Sequence, residues 1–161
     1  MSKGSMMKRF QLLIPPPVLL AIAASLAYGL AYLNTYWLVA RLPYWLNSLL
    51  WPVVLLACVV GAVSLLPFMK KRTTINPHHP ERSRQLIIDG LYRYSRNPMY
   101  LSLLLLLTAW CFHLQALLSL LSILVFVYLI NELQIKPEEA VLDSHFGEQY
   151  QQYCRKVRRW L

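Results

Sequence analysis

The sequence predicts an all-α integral membrane protein, a helical bundle of about four transmembrane helices with a cytoplasmic C-terminal helical segment. Three observations lead to this fold class. Hydrophobic residues make up 57% of the 161-residue chain and charged residues only 14%, whereas soluble domains carry about 25% charged residues. Long stretches have no charged side chain at all, and the basic residues gather on one side of the predicted membrane. One domain of this length could not hide so much apolar surface from water, so lipid is the expected solvent.

Three stretches without Asp, Glu, Lys or Arg define the helices: residues 10–40, 42–69 and 97–131. About 20 apolar residues in a helix cross the hydrocarbon core, which is about 30 Å thick. The first two stretches each fit one helix. The third would be about 52 Å long as a single helix. We therefore expect it to form a hairpin that turns near residues 111–115, with a short first arm beginning at Pro98, a favourable first helical residue.

The chain then divides into five parts of a single membrane domain. They are a cytoplasmic N-terminal segment whose first five residues we interpret as a cloning remnant (1–9), two transmembrane helices (10–69), a cytoplasmic loop (70–97), the helical hairpin (98–136) and cytoplasmic C-terminal helices (137–161). Of the 16 basic residues, 15 fall in the first, third and fifth parts or at the hairpin's end, and only Arg41 lies on the opposite side. By the positive-inside tendency, both termini and the long loop are cytoplasmic.

The net charge of +9 follows from this topology and from contact with anionic lipid headgroups. Nucleic acid is not an expected partner, because the basic residues adjoin the membrane and form no recognisable binding module. Cys58, Cys111 and Cys154 lack metal-ligand spacing, so the sequence indicates neither a disulfide nor zinc. The adjacent His78 and His79 have no carboxylate or cysteine companion at ligand spacing, and we predict no metal site.

Polar residues of the loop collect next to the third membrane helix. An Asp89–Gly90 pair is a turn signal, and the apolar residues 86–88 are expected to anchor the loop to the bilayer surface. Aromatic and hydrogen-bonding side chains then follow directly before the helix: Tyr92, Arg93, Tyr94, Arg96 and Asn97. Such a set suits a small ligand at the mouth of the bundle, but an ordinary charged belt beside the membrane accounts for it equally well.

A second polar group follows the fourth helix. Pro137 can stop that helix or start a new one, and Glu138 and Glu139 would lie in the new helix's first turn, where the macrodipole favours carboxylates. Adjacent helical residues point about 100° apart, so the two carboxylates are not expected to act as a paired acid and base. Glu132 and Lys136 have the i,i+4 spacing of a helical ion pair. An apolar stripe further on indicates a cytoplasmic helix packed on the bundle or membrane: Phe146, Tyr150, Tyr153 and Val157.

Both polar segments resemble the isoprenylcysteine carboxyl methyltransferase family, which is related to the membrane phospholipid methyltransferases. Residues 90–100, GLYRYSRNPMY, are similar to the motif before the family's helical hairpin. The family's C-terminal pattern is matched in order and spacing by Glu138, Glu139, Leu142, Phe146, Gly147, Tyr150, Tyr153 and Val157. The resemblance covers residues 70–158, whereas the first two helices match only in character.

Two positions depart from the family pattern. This chain has Leu91 where the family often has proline, and Asn97 where it often has histidine. Bacterial-type members resemble this chain in having asparagine, so activity is still expected and the bacterial inner membrane is the expected location. The change weakens any transfer of substrate identity from the eukaryotic enzymes.

The resemblance implies S-adenosylmethionine as methyl donor, S-adenosylhomocysteine as product, and a cofactor pocket between the hairpin's cytoplasmic end and the C-terminal segment. Carried over by position, the pocket residues are Tyr92, Arg96, Asn97, Pro98 and Tyr100 on one side and Glu138 and Glu139 on the other. We assign catalytic positioning roles to Arg96 and Glu139 and name no general base. The implied partners are the bilayer and a lipophilic methyl acceptor, with no obligate protein partner.

Elementary chemistry agrees with these assignments. A carboxylate can accept hydrogen bonds from the donor's ribose or ammonium group, an arginine can bind its carboxylate, and aromatic rings can contact its adenine or sulfonium. Methyl transfer is a direct displacement, in which alignment alone can be worth about 7–11 kcal/mol and a closed pocket excludes water.

Two other functions stay open at this stage. The membrane sterol reductases, which use a nicotinamide cofactor, resemble the same C-terminal half, although they are far longer and the Glu138–Glu139 pair marks the methyltransferases. A non-enzymatic membrane scaffold would explain the helices and basic loop but not the two motifs. The identity of the acceptor is also open among isoprenylcysteine-like compounds, phospholipids, small thiols and other lipophilic groups.

Overall fold

The computed structural model describes residues 14–37, 40–71 and 86–161. The remaining residues, which include His78 and His79 and the first part of the predicted cytoplasmic loop, lie outside this description. The described chain is helical, with six α-helices: α1 (Pro16–Tyr36), α2 (Leu50–Lys71), α3 (Pro98–Leu114), α4 (Leu121–Ile130), α5 (Lys136–Phe146) and α6 (Glu148–Lys156). Short 3₁₀ segments precede α2 (Tyr44–Leu49), α3 (Gly90–Arg93) and α4 (Leu117–Leu120), and a π-helical segment (Asn131–Ile135) joins α4 to α5.

Three of the described helical runs are long and apolar enough to cross a membrane: Pro16–Tyr36, Tyr44–Met69 and Leu117–Phe146. The fourth, α3, is an apolar helix of 17 residues, which is the short end of the range for a spanning helix. The prediction of an all-helical membrane bundle with about four spans is therefore confirmed. α3 begins at Pro98, the predicted residue, and ends at Leu114. The next residue, Gln115, has a left-handed conformation (φ 55°) and reverses the chain within the predicted turn.

Helix α3 lies at the centre of the bundle, where it packs against α1, α2 and α4. α1 and α4 also pack against each other. Side chains from α1, α3, α4 and the π-helical segment meet in a buried apolar core. Its residues are Leu19, Ala23, Tyr100, Leu107, Phe126, Ile130 and Ile135. This core extends to the end of the bundle at which the predicted polar residues lie.

The two ends of the bundle differ in character. At one end, the connection before α2 meets the hairpin turn, because Leu42 N–H donates to the Gln115 carbonyl (3.0 Å) and Arg41 pairs with Ala116. At the other end, Gln134 Nε2 donates to the carbonyl of Ile14, just before α1 (2.8 Å). The end that carries Arg41 is therefore opposite the end that carries the start of α3 and the polar segment after α4, as the charge pattern predicts.

The helix that carries the two glutamates widens before Pro137. This proline has no N–H to donate to the residue four positions earlier, and its ring would clash with that residue's carbonyl in a regular α-helix. The π-helical segment Asn131–Ile135 lies directly before it, and such wide turns are frequent at functional sites. The chain thus continues without a break from α4 into α5, with Glu138 and Glu139 in the first turn of α5. The predicted Glu132–Lys136 ion pair forms on the same rod.

A glycine turn folds α6 back after α5. Gly147 has φ 50° and ψ −123°, a combination that side-chain-bearing residues rarely adopt. The predicted apolar stripe then packs in one cluster, with Tyr150, Tyr153 and Val157 buried against Leu86. Of the three residues expected to anchor the loop to the bilayer surface, Leu86 and Ile87 are instead buried in the protein, and Ile88 is exposed. The stripe on α6 needs an apolar partner, and the loop residue Leu86 supplies it.

Candidate functional site

The start of α3 forms one wall of the site. Gly90, with φ 64°, opens the 3₁₀ segment Gly90–Arg93, and the chain then enters α3 at Pro98, whose side chain is fully buried. Proline is suited to this first turn because an N–H at this position would have no partner within the helix, and because the φ of proline is already helical. Arg96 precedes the helix and Tyr100 lies in its first turn, so both side chains are held at the same end of the bundle.

Glu138 and the tyrosines of this wall form the first half of the site. The Tyr100 hydroxyl donates to Glu138 Oε2 at 3.0 Å, while the Tyr100 ring is buried in the apolar core. Tyr92 is also buried, and its ring meets Phe68 edge-on with centroids 5.7 Å apart. Burial, reinforced by the nearby Glu138 carboxylate, raises the pKa of the Tyr92 phenol. The Tyr92 phenol thus keeps its proton beside the Glu138 carboxylate, to which the Tyr100 phenol already donates.

Glu139 and two arginines form the second half. Arg96 Nη2 lies 3.1 Å from Glu139 Oε1. Arg159 contacts the same carboxylate with two donors, Nε to Oε1 at 3.1 Å and Nη2 to Oε2 at 2.6 Å. This fork is the geometry in which a guanidinium binds a carboxylate most specifically, and it raises the pKa of Arg159. The two adjacent glutamates therefore have different partners, as their 100° divergence on a helix predicts.

The residues after α6 form a further side of the site. Arg96 N–H donates to the Arg158 carbonyl (3.0 Å), and Asn97 Nδ2 donates to the Arg159 carbonyl (2.9 Å). Arg96 Nη1 also contacts the Cys154 thiol. These contacts join residues 58 to 62 positions apart in sequence, so the two family-like motifs meet in space.

Tyr153 adds a further tie between α6 and the loop. Its hydroxyl donates to the Tyr92 carbonyl at 2.7 Å. Burial raises the pKa of the Tyr153 phenol, against the opposing effect of the Arg96 charge, so the phenol keeps the proton that it donates. This bond fixes the backbone at Tyr92 and with it the position of the Tyr92 ring.

All seven predicted site residues lie at this end of the bundle, but their side chains do different things. Tyr100 and Arg96 contact Glu138 and Glu139 directly, whereas Asn97 holds the chain after α6 and Pro98 begins α3. Sequence reasoning missed the contacts of Tyr153, Cys154 and Arg159. Arg159 had been counted with the basic residues that set topology, and it lies just beyond the segment that resembles the family. Within the described part of the chain, no three His, Cys, Asp or Glu side chains gather in a way that would hold a metal ion.

Comparison with known sequences identifies the class of protein to which this chain belongs. Residues 53–149, more than half of the chain, match the family Phospholipid methyltransferase. The chain belongs to that family and is an integral membrane methyl-transfer enzyme.

Two relatives support this assignment over shorter stretches. A Haemophilus influenzae protein described as an uncharacterized protein is 51% identical over 63 residues, which are 39% of this chain and all of that protein. The protein-S-isoprenylcysteine O-methyltransferase of Schizosaccharomyces pombe is 37% identical over 76 residues, 45% of this chain and 30% of that enzyme. This chain therefore matches less than a third of the yeast enzyme's length. No solved structure matches.

Proposed function

We propose that this protein is an S-adenosylmethionine-dependent methyltransferase that modifies a lipophilic acceptor at the cytoplasmic face of the membrane. The proposed membrane is the bacterial inner membrane. The observation that carries the proposal is the meeting of the two family-like motifs through Tyr100–Glu138 and Arg96–Glu139. Residues 38 to 43 positions apart form these contacts, at the membrane end of the loop. A scaffold would have no need to hold two arginines, two carboxylates and buried phenols together.

The residues at this site fit the chemical groups of the methyl donor. Arg96 has a buried Nε with no hydrogen-bond partner among the described residues, so a donor remains for the amino-acid carboxylate of the cofactor. Glu138, which the structure ties to one phenol, has acceptor capacity for a ribose hydroxyl or an ammonium group. When bound, the cofactor would supply an electrophilic methyl group. The protein's contribution is to orient it and to exclude water, and we place Tyr92 and Tyr100 along the aromatic wall.

The position of the site supports a lipophilic acceptor. The Tyr100 ring belongs to the apolar core between α1, α3 and α4, so the Glu138 half of the site lies directly above the membrane interior. A polar cofactor can arrive from the cytoplasm while an acceptor with an apolar tail enters sideways between helices. Each buried methylene of such a tail contributes about 0.8 kcal/mol. We expect activity to rise with tail length among acceptors that share one head group. Equal efficiency for a tailless, water-soluble acceptor would contradict lateral entry and leave the cofactor assignment standing.

The cofactor assignment is tested by binding. S-adenosylhomocysteine should raise the thermal unfolding temperature of the detergent-solubilised protein, because a ligand that binds only the folded state stabilises it by mass action. Reduced nicotinamide cofactors serve as the comparison, since stabilisation by them alone would favour a reductase. If saturating S-adenosylhomocysteine leaves the melting curve of folded protein unchanged, the proposal is wrong. Incubation of membranes with methyl-labelled S-adenosylmethionine, followed by identification of the labelled product, then names the acceptor.

A further inference from the structure

The segment that follows α6, residues 157–160, runs back across the start of α3 and forms part of the candidate site. We call it the strap. Two backbone carbonyls of the strap accept hydrogen bonds from the wall of the site, Arg158 from Arg96 N–H (3.0 Å) and Arg159 from Asn97 Nδ2 (2.9 Å). Its first residue, Val157, is buried in the cluster that α6 forms with Leu86. The strap is therefore fixed at its beginning and along its backbone.

The end of the strap is fixed on the opposite side of the site. Trp160 packs against the apolar core that contains Tyr100 and Ile135. Its indole Nε1 is buried and has no hydrogen-bond partner among the described residues, so the ring is held there by apolar packing. Arg159 lies between these two anchors. Its backbone position is thereby determined, and its side chain reaches Glu139 as a consequence.

Glu139 is shared by the strap and the start of α3. Arg159 occupies both carboxylate oxygens, and Arg96 also contacts Oε1. The side chains of Glu139 and Arg96 are only 18% and 15% exposed. A guanidinium carries five N–H donors in a rigid plane. Fixing Glu139 from the Arg159 side therefore also fixes the plane of Arg96, whose Nε is buried and has no described partner.

We propose that Arg159 is a positioning residue: through Glu139 it holds Arg96 in the orientation that binds the amino-acid carboxylate of the methyl donor. This inference rests on the proposed function and adds the strap to the site. Glu139 then serves as the bridge between the two arginines. The role of Arg159 requires its fork, because a lysine at the same position can reach only one carboxylate oxygen at a time as a point charge.

Two ligands that differ only in the carboxylate test the proposal. S-adenosylhomocysteine has the carboxylate, and 5′-deoxy-5′-(3-aminopropylthio)adenosine has the same adenosine, sulfur and ammonium group without it. The dissociation constants of both are measured for the parent, Arg159→Gln, Arg159→Lys and Arg155→Gln. Arg155 is an exposed arginine of α6, so its variant removes the same charge outside the site.

The parent should prefer S-adenosylhomocysteine, and Arg159→Gln should lose about tenfold of that preference, as expected for one charge-assisted hydrogen bond. Its affinity for the ligand without the carboxylate should be unchanged. Arg159→Lys should retain part of the preference and Arg155→Gln all of it. If Arg159→Gln does not fold, Arg159→Lys is the test variant. An undiminished preference of Arg159→Lys for S-adenosylhomocysteine would then overturn the proposal.

Three further results would also overturn it. An equal loss of affinity for both ligands in Arg159→Gln would mean a purely structural role. If the parent protein binds the two ligands equally, the arginines do not bind the carboxylate of S-adenosylhomocysteine, and the methyltransferase assignment stands. A folded parent that binds neither ligand would overturn the proposed function and this inference with it.

Discussion

The two adjacent glutamates should respond very differently to the same chemical change. Glu139→Gln removes the anion shared by Arg96 and Arg159 and leaves two guanidinium groups facing each other. Removing one partner of a buried ion pair costs about 3–5 kcal/mol. Arg159 is 35% exposed and partly screened by solvent, so we expect the lower end, about 3 kcal/mol. At about 2–4 °C per kcal/mol for chains of this size, the unfolding temperature should fall by roughly 6–12 °C.

Glu138→Gln should be much milder. Its described side-chain bond is the one from the Tyr100 hydroxyl, and a glutamine oxygen can accept that bond in the same place. A hydrogen bond to a charged group is worth about 1.5–3 kcal/mol and a neutral one about 0.5–1.5 kcal/mol. The substitution should therefore cost the difference, about 1 kcal/mol, or about 2–4 °C. The loss of unfolding free energy differs between the two variants because the number and charge of the donors around the two carboxylates differ.

Thermal unfolding of the purified variants in one detergent, at fixed pH and salt, measures both effects. Asp143→Asn is the matched control, because it makes the same change at an exposed position of the same helix, and it should shift the unfolding temperature little. Equal shifts for Glu138→Gln and Glu139→Gln, or a larger shift for Glu138→Gln, would refute the assignment of the two arginines to Glu139.

Three further predictions address the topology and the supports of the site. Reporter fusions at both termini and in the loop at 73–84 should report the cytoplasm and one at Arg41 the opposite side; a terminus found outside would overturn the topology. Tyr153→Phe leaves a buried carbonyl without its donor and should cost about 1–3 kcal/mol in unfolding experiments, whereas the exposed Tyr94→Phe should cost nothing measurable. Gly147→Ala places a side chain in an unfavourable backbone conformation and should cost about 1–3 kcal/mol, although its Cβ would meet no atom within 4 Å; an unchanged unfolding temperature would show that the turn adapts.

The bundle was predictable because its determinants are local. A membrane fixes the length of a helix, so a charge-free stretch too long for one span had to turn, and Pro98 and the polar residues near Gln115 mark its two limits. The divergence of Glu138 and Glu139 follows from helix geometry alone. The apolar stripe on α5 and α6 was likewise predictable from the helical spacing of its residues, and it packs in one cluster as that spacing predicts.

The contacts of the strap were not predictable in the same way. Arg159 and Glu139 are 20 residues apart, and Asn97 and Arg159 are 62 apart. No helical period or turn signal links such positions, and in a chain with 16 basic residues one more arginine near the membrane already had an explanation. The burial of Leu86 was not predictable for a related reason. Three apolar residues beside a bilayer can contact lipid or protein, and it is the position of α6 that places Leu86 against protein.

Tyr100 couples the stability of the bundle to the geometry of the site. Its ring is packed with Leu107 and Phe126 in the core of the membrane helices, and its hydroxyl reaches Glu138. The ring cannot shift without opening that core, so the bundle itself sets where this carboxylate lies. Glu139 is held instead by Arg159 of the strap and by Arg96. One half of the site is thus fixed by the membrane bundle and the other by the segment after α6. On the proposed function, the methyl donor would contact both halves, and a lipid-borne acceptor would approach from the membrane helices beside the Tyr100–Glu138 half.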